Sequence, residues 1–119
     1  MKKEIRQTVY EKYDGHCAYC GIKMKIKEMQ VDHLVSQFHF KFNIAVAYTD
    51  KELNDIENLM PSCIVCNKWK SCYSVEQFRF EIQEQLKRLN EYSSNFRLAK
   101  KYGLVEEKQQ SILFYFEKQ

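Results

Sequence analysis

A small α+β domain is what this sequence predicts, and three observations predict it. Period-two alternation in the first half reads as short strands, and an apolar stripe at helical spacing in the second half reads as a helix. Two Cys-x-x-Cys pairs, far apart in the chain, tie its early and middle segments together. At 119 residues the chain has the size of one domain, and 45% apolar residues with 14% aromatics supply one modest core. A charged fraction of 29% with a single proline argues against a disordered chain. No apolar run approaches the roughly 18 residues of a membrane span. The start, "MKKEIRQTVYEKY", has two lysines but no apolar h-region, so it does not read as a secretory signal and a cytoplasmic protein is expected.

Taken in order, Ile5, Val9 and Tyr13 recur at four-residue intervals and predict a short N-terminal helix. Asp14-Gly15 is a turn signal that stops it before the first cysteine pair. Gly21, directly after Cys20, lets the chain turn sharply. Ile22, Met24 and Ile26 then alternate with Lys23, Lys25 and Lys27, which predicts a strand with one apolar and one lysine face. A second short strand, "MQVDHL", ends at Asp32-His33. Residues 36–56 show no period and are expected to form a long loop with some helical turns; a loop this long in a small domain is usually functional. "NLMPSC" reads as extended, and a short helix is expected within Cys63–Cys72.

The clearest helix starts at Ser74, which makes a capping box with Gln77, and its stripe is Val75, Phe78, Ile82, Leu86 and Leu89. "NFRLAKKY" predicts a further helix stopped by Gly103, and "SILFYFEK" reads as a terminal strand. With no repeat or linker, residues 1–119 are expected to form a single domain.

Five cysteines in a chain without a secretory signal point to metal or redox use rather than disulfides. Cys17, Cys20, Cys63 and Cys66 supply four soft thiolates, the donor set of a tetrahedral structural Zn²⁺. The same set also suits an iron centre, and Cys72 is left over as a small packed residue. Four protein ligands leave no open position for water, so chemistry must lie elsewhere. The formal charge of +3 is little help: four thiolates around one Zn²⁺ carry −2, which leaves about +1. Binding of a polyanion has to rest on local lysines and arginines.

Asp32-His33 is weak as a dipeptide and gains from its company. The ordered segments "HCAYCG", "VDHL", "NDIENLMPSC" and "CNKWK" resemble the HNH (ββα-metal) endonucleases, in the branch braced by a four-cysteine zinc site. The resemblance covers residues 6–72, with residues 73–119 as a helical extension, and the motif here reads His-Asn-Asn. It implies a hairpin and helix clamped around one divalent cation. By similarity His33 is the general base, and Asp32 with Asn67 holds a catalytic Mg²⁺ or Mn²⁺ through hard oxygens. Alternation along a strand lets Asp32 and His33 face opposite sides. Asn58 is expected to hold the loop and orient His33 by side-chain hydrogen bonds, and Lys70 with Lys68 to bind phosphate.

The resemblance thus implies a metal-dependent endonuclease that hydrolyses phosphodiester bonds in double-stranded DNA with little sequence selectivity, bacterial or phage-encoded. A protein partner, if one exists, is expected on residues 74–119. Bland readings stand beside these: Asn58 as a turn brace, Asn67 as a helix-start cap, Lys23, Lys25 and Lys27 as a solvated face, His16 and His39 as ordinary histidines. "DHLVSQFHF" lacks the proline and glycines that often follow the Asp-His pair in the family, and its loop is longer than usual. The alternatives from other classes are a non-catalytic zinc-braced module that binds nucleic acid and a rubredoxin-like electron carrier.

Overall fold

The computed structural model describes residues 1–36 and 50–119, so His39 lies outside the described residues. They divide into two compact units, Met1–Val75 with Leu113–Gln119 and Glu76–Ile112.

In the first unit, helix α1 (Lys3–Glu11) buries Val9 and leaves Ile5 more than one third exposed. Asp14 and Gly15 end it in left-handed backbone, at φ 52° and 81°. Two basic side chains tie α1 to the rest of the unit. Arg6 donates to the carbonyls of Ile26 and Met29, at 2.7 Å each. Lys12 donates to the carbonyls of Ile56, Glu57 and Leu59 at 3.0–3.1 Å.

The expected lysine-faced strand at residues 22–26 does not form. The chain there is committed to the turn around the first cysteine pair: the Cys17 N–H donates to Ile22 O, and the Met24 N–H to Gly15 O. Only an isolated bridge, His16 to Lys23, remains of the strand. Ile22 is 57% exposed while Met24 is buried, so the alternation does not carry one apolar face into the core. A 3₁₀ turn follows at Ile26–Glu28, closed by the Glu28 carboxylate accepting the Lys25 N–H.

Strand β1 (Gln30–His33) pairs antiparallel with β2 (Leu59–Ser62), in the register Asp32 to Met60 and His33 to Leu59. Between them lie the one-turn helix α2 (Asp50–Leu53) and a 3₁₀ turn at Ile56–Asn58. All four residues of β2 are buried, and the carbonyl of Pro61 accepts the Ala18 N–H from the cysteine turn. The short helix expected after β2 is α3 (Ile64–Lys70); it ends at Ser71, which has φ 47°. Val9, Met24, Met29, Leu59, Met60 and Phe114 are the unit's main buried apolar side chains.

The terminal strand is also corrected. Residues Tyr115–Lys118 form a 3₁₀ turn, with the Glu117 carboxylate accepting the Phe114 N–H. The N–H groups of Tyr115 and Phe116 donate to the carbonyls of Tyr19 and Ala18, so they brace the cysteine turn instead of a sheet. Phe114 meets Tyr19 edge-on at 5.4 Å between ring centres.

In the second unit the long helix expected from Ser74 is two pieces, α4 (Val75–Gln83) and α5 (Gln85–Tyr92), separated at Glu84. Helix α6 (Ser94–Lys101) is capped by Ser93, whose hydroxyl accepts the Phe96 N–H. It stops where expected, with Gly103 at φ 75°. Asn90, Lys100 and Glu107 close a polar network beside it. Among the described residues no helix is long and apolar enough to cross a membrane.

Candidate functional site

The four expected cysteines converge: the sulfurs of Cys17, Cys20, Cys63 and Cys66 all lie within 4.8 Å of one another. Cys20 Sγ and Cys63 Sγ are 3.8 Å apart. A tetrahedron with Zn–S bonds of about 2.3 Å has edges of about 3.8 Å, so donor type and spacing both fit a structural Zn²⁺. Backbone donors support the thiolates: the Cys63 N–H reaches Cys17 Sγ at 3.3 Å, and the Cys66 N–H reaches Cys63 Sγ at 3.4 Å. The second of these also caps α3, so the clasp and the helix start are one structure.

Sharing protons among themselves, the sulfurs separate in acidity. The hydrogen bond from Cys66 holds the Cys17 thiol down at about 4, while burial and the neighbouring thiolates push Cys20 up to about 11. Cys66 is pushed up too, first by its bond to Cys17. One negative charge is easily held and further ones repel it, which is the imbalance a divalent cation relieves. His16 is not a fifth donor: its Nδ1 lies 2.9 Å from Gly21 O, and its ring stacks on Tyr115. Gly21 is at φ 81°, and a Cβ there would come within 2.8 Å of the Tyr115 ring. Cys72 stands apart, half-buried and unpaired with the other four.

A second cluster sits where β1 meets α3. Asp32 is 6% exposed, and its Oδ2 accepts from the Tyr19 hydroxyl and lies 3.0 Å from the Lys70 ammonium. The same ammonium donates to the carbonyl of His33 at 3.0 Å. Burial, and then the Asp32 charge, raise the pKa of Tyr19, so its hydroxyl stays protonated as a donor. No described residue bonds Asp32 Oδ1.

His33 is half-buried and, by strand alternation, points away from Asp32. Its Nε2 is 3.2 Å from Asn54 Oδ1. Asn58 grips the chain just beyond: its Oδ1 accepts the Val35 N–H at 2.8 Å, and its Nδ2 donates to Val35 O at 3.1 Å. The bonds reach the backbone two residues past His33, so Asn58 holds the loop, while the bond to the imidazole comes from Asn54.

Asn67 stands on α3 three residues before Lys70, and residues so spaced share a helix face. It therefore lies on the face that Lys70 turns towards β1. Its side chain is half-buried and bonds no described residue. Lys68 is exposed, beside Trp69 at 53% exposure. Lys70, expected to bind phosphate, has its ammonium wholly buried, against Asp32 and His33 O.

Sequence reasoning missed Tyr19 and Asn54. Tyr19 hides between two cysteines, whose spacing says nothing of the residues they enclose. Asn54, in the aperiodic "ELNDIEN", has no local signal and is recognised only from its contact with His33.

The fold and clusters together define an antiparallel strand pair followed by a helix, with a four-cysteine metal clasp at the helix start. Residues 17–71, from the first clasp cysteine to the residue that ends α3, match the family model described as HNH endonuclease. No curated protein matches the chain.

Proposed function

We propose that the chain is a metal-dependent endonuclease that hydrolyses phosphodiester bonds in DNA, with His33 as the general base. The observation that carries the reading is the juncture of β1 and α3. There Asp32, His33 and Asn67 sit on adjoining elements, inside the segment that matches the HNH family. A single hydrogen bond to Asn54 steadies the His33 ring, and its other nitrogen bonds no described residue. That second nitrogen takes the proton of the water that attacks phosphorus.

Asp32 Oδ1 and the Asn67 carbonyl oxygen are hard donors of the type Mg²⁺ or Mn²⁺ takes. When bound there, the cation supplies Lewis-acid stabilisation of the charge that develops on the phosphate and the leaving oxygen. Tyr19 and Lys70 hold Asp32 by Oδ2 and keep its carboxylate from turning. Lys68 and Trp69 offer a cation and an aromatic face to the nucleic acid on the exposed side of α3. Few base-specific contacts are expected from so small a surface, which favours double-stranded DNA cut with low selectivity. Any target preference or protein partner then falls to residues 74–119.

One observation favours a second reading, a non-catalytic module that binds nucleic acid. Asp32 already has an internal cation in Lys70, which serves a scaffold as well as an active site. Supercoiled-plasmid nicking separates the two. Wild type nicks with Mg²⁺ or Mn²⁺, not with EDTA, and His33→Ala slows it by about 10²–10⁴-fold. A zinc-loaded, folded wild type that binds DNA without nicking it leaves the second reading in place. Nicking by His33→Ala at the wild-type rate removes His33 as the base.

A further inference from the structure

We infer that Asn54 is the positioning residue of His33: its side-chain carbonyl accepts the Nε2 proton, which fixes the ring and leaves Nδ1 as the nitrogen with a lone pair. The inference rests on the reading of His33 as general base and names the group that sets its geometry.

Two asparagines flank the histidine and divide the work. Asn58 uses both ends of its amide on the backbone of Val35, and its own carbonyl accepts the Leu34 N–H at 2.8 Å. Those bonds set the path of the chain as it leaves β1. They do not set the torsion of the imidazole, which needs a partner on the ring itself. That partner is Asn54, whose Oδ1 lies 3.2 Å from Nε2. A carbonyl oxygen only accepts, so the hydrogen bond exists only with the proton on Nε2. No described residue bonds Nδ1, and this is the nitrogen left to meet a water.

Asn54 can do this because its own backbone is braced. It follows α2 and precedes the 3₁₀ turn Ile56–Asn58, where Asp55 caps the start by accepting the Glu57 N–H at 2.9 Å. The same turn is pinned by Lys12 from α1, through the carbonyls of Ile56, Glu57 and Leu59. The ammonium thus anchors the segment on which Asn54 sits.

The test uses the full zinc-loaded chain and two readouts. The first is long-range proton–nitrogen NMR of the His33 ring, which needs no activity. Wild type shows Nε2 protonated, Nδ1 bare, and a ring proton protected from solvent exchange. Asn54→Ala shows faster exchange and a mixture of the two neutral tautomers. Asn54→Asp, which keeps an acceptor at that position, restores the protected proton. Nδ1 protonated in wild type, or identical spectra for wild type and Asn54→Ala, overturns the inference.

The second readout is plasmid nicking. Asn54→Ala lowers kcat by about 10- to 100-fold with KM little changed, since a misdirected base costs rate rather than binding. The expected NMR result with a wild-type kcat in Asn54→Ala also overturns the positioning role. A wild type that never nicks defeats the endonuclease reading instead, and the NMR result still decides whether Asn54 holds His33.

Discussion

Lys70 Nζ lies 3.0 Å from Asp32 Oδ2, with the lysine wholly buried and the aspartate 6% exposed. The ammonium is further satisfied by His33 O at 3.0 Å, and the carboxylate by the Tyr19 hydroxyl. Burying two charges is costly, and the pair is tolerable because each ion finds more than one partner. Removing one member leaves the other charged and unpaired. Lys70→Ala is therefore expected to lower stability by about 3–5 kcal/mol, seen as a fall in the urea midpoint at unchanged slope. Combining it with Asp32→Asn removes the orphaned charge and recovers part of the loss. An unchanged midpoint in Lys70→Ala would show that the pair has no structural weight.

Lys70 also marks where sequence stops informing. Its place at the end of "CNKWK" was legible, and so were the clasp, the helix start and the Asp-His strand, because each rests on spacing between near neighbours. The direction in which Lys70 points is not local: it depends on where β1 packs against α3. The same limit explains residues 22–26, where alternation was real in the sequence but Gly15 and the cysteine turn claimed the backbone bonds. It explains Phe114 and Phe116 as well. Aromatic residues in a row suit a strand, yet here the partners available were two carbonyls of the cysteine turn rather than a sheet edge.

Zinc removal gives a second expectation. The clasp joins residues 17–20 to residues 63–66 across an intervening stretch of 42 residues, so losing the metal frees a long loop and the start of α3 together. Structural zinc sites contribute about 10–16 kcal/mol of apparent binding free energy, more than a domain of this size has in reserve. Chelation, or Cys63→Ser, is expected to abolish cooperative unfolding of the first unit, with metal analysis of the wild type giving one zinc per chain. A red protein with iron in that position would replace zinc by an electron carrier's metal. A stable, metal-free Cys63→Ser with wild-type helix content would remove the clasp altogether.

The exposed side of α3 carries a third. Lys68 is exposed, and Trp69 is the chain's single tryptophan, so selectively excited tryptophan fluorescence reports on this face alone. Under the proposed function, duplex DNA quenches that fluorescence, and Lys68→Ala weakens binding. If Lys68 neutralises one phosphate, its removal lowers the slope of log K against log salt by about 0.9. Unchanged fluorescence at saturating DNA would place the nucleic acid on some other surface.

Tyr19 yields the last expectation, because it belongs to both clusters. It sits between Cys17 and Cys20, its ring packs edge-on against Phe114 and Phe116, and its hydroxyl donates to Asp32 Oδ2. Tyr19→Phe keeps the ring and its packing and deletes only the donor. A hydrogen bond to a charged group contributes about 1.5–3 kcal/mol, so a loss of that order is expected in urea unfolding. The sulfurs are untouched by the change, and zinc content should stay at the wild-type value. Nicking should nevertheless slow, since Asp32 is then held by Lys70 alone and its carboxylate can turn. A variant with wild-type zinc, reduced stability and reduced nicking would place Tyr19 as the link from the metal clasp to Asp32. If nicking were unaffected while stability fell, the hydroxyl would serve the buried ion pair and nothing beyond it.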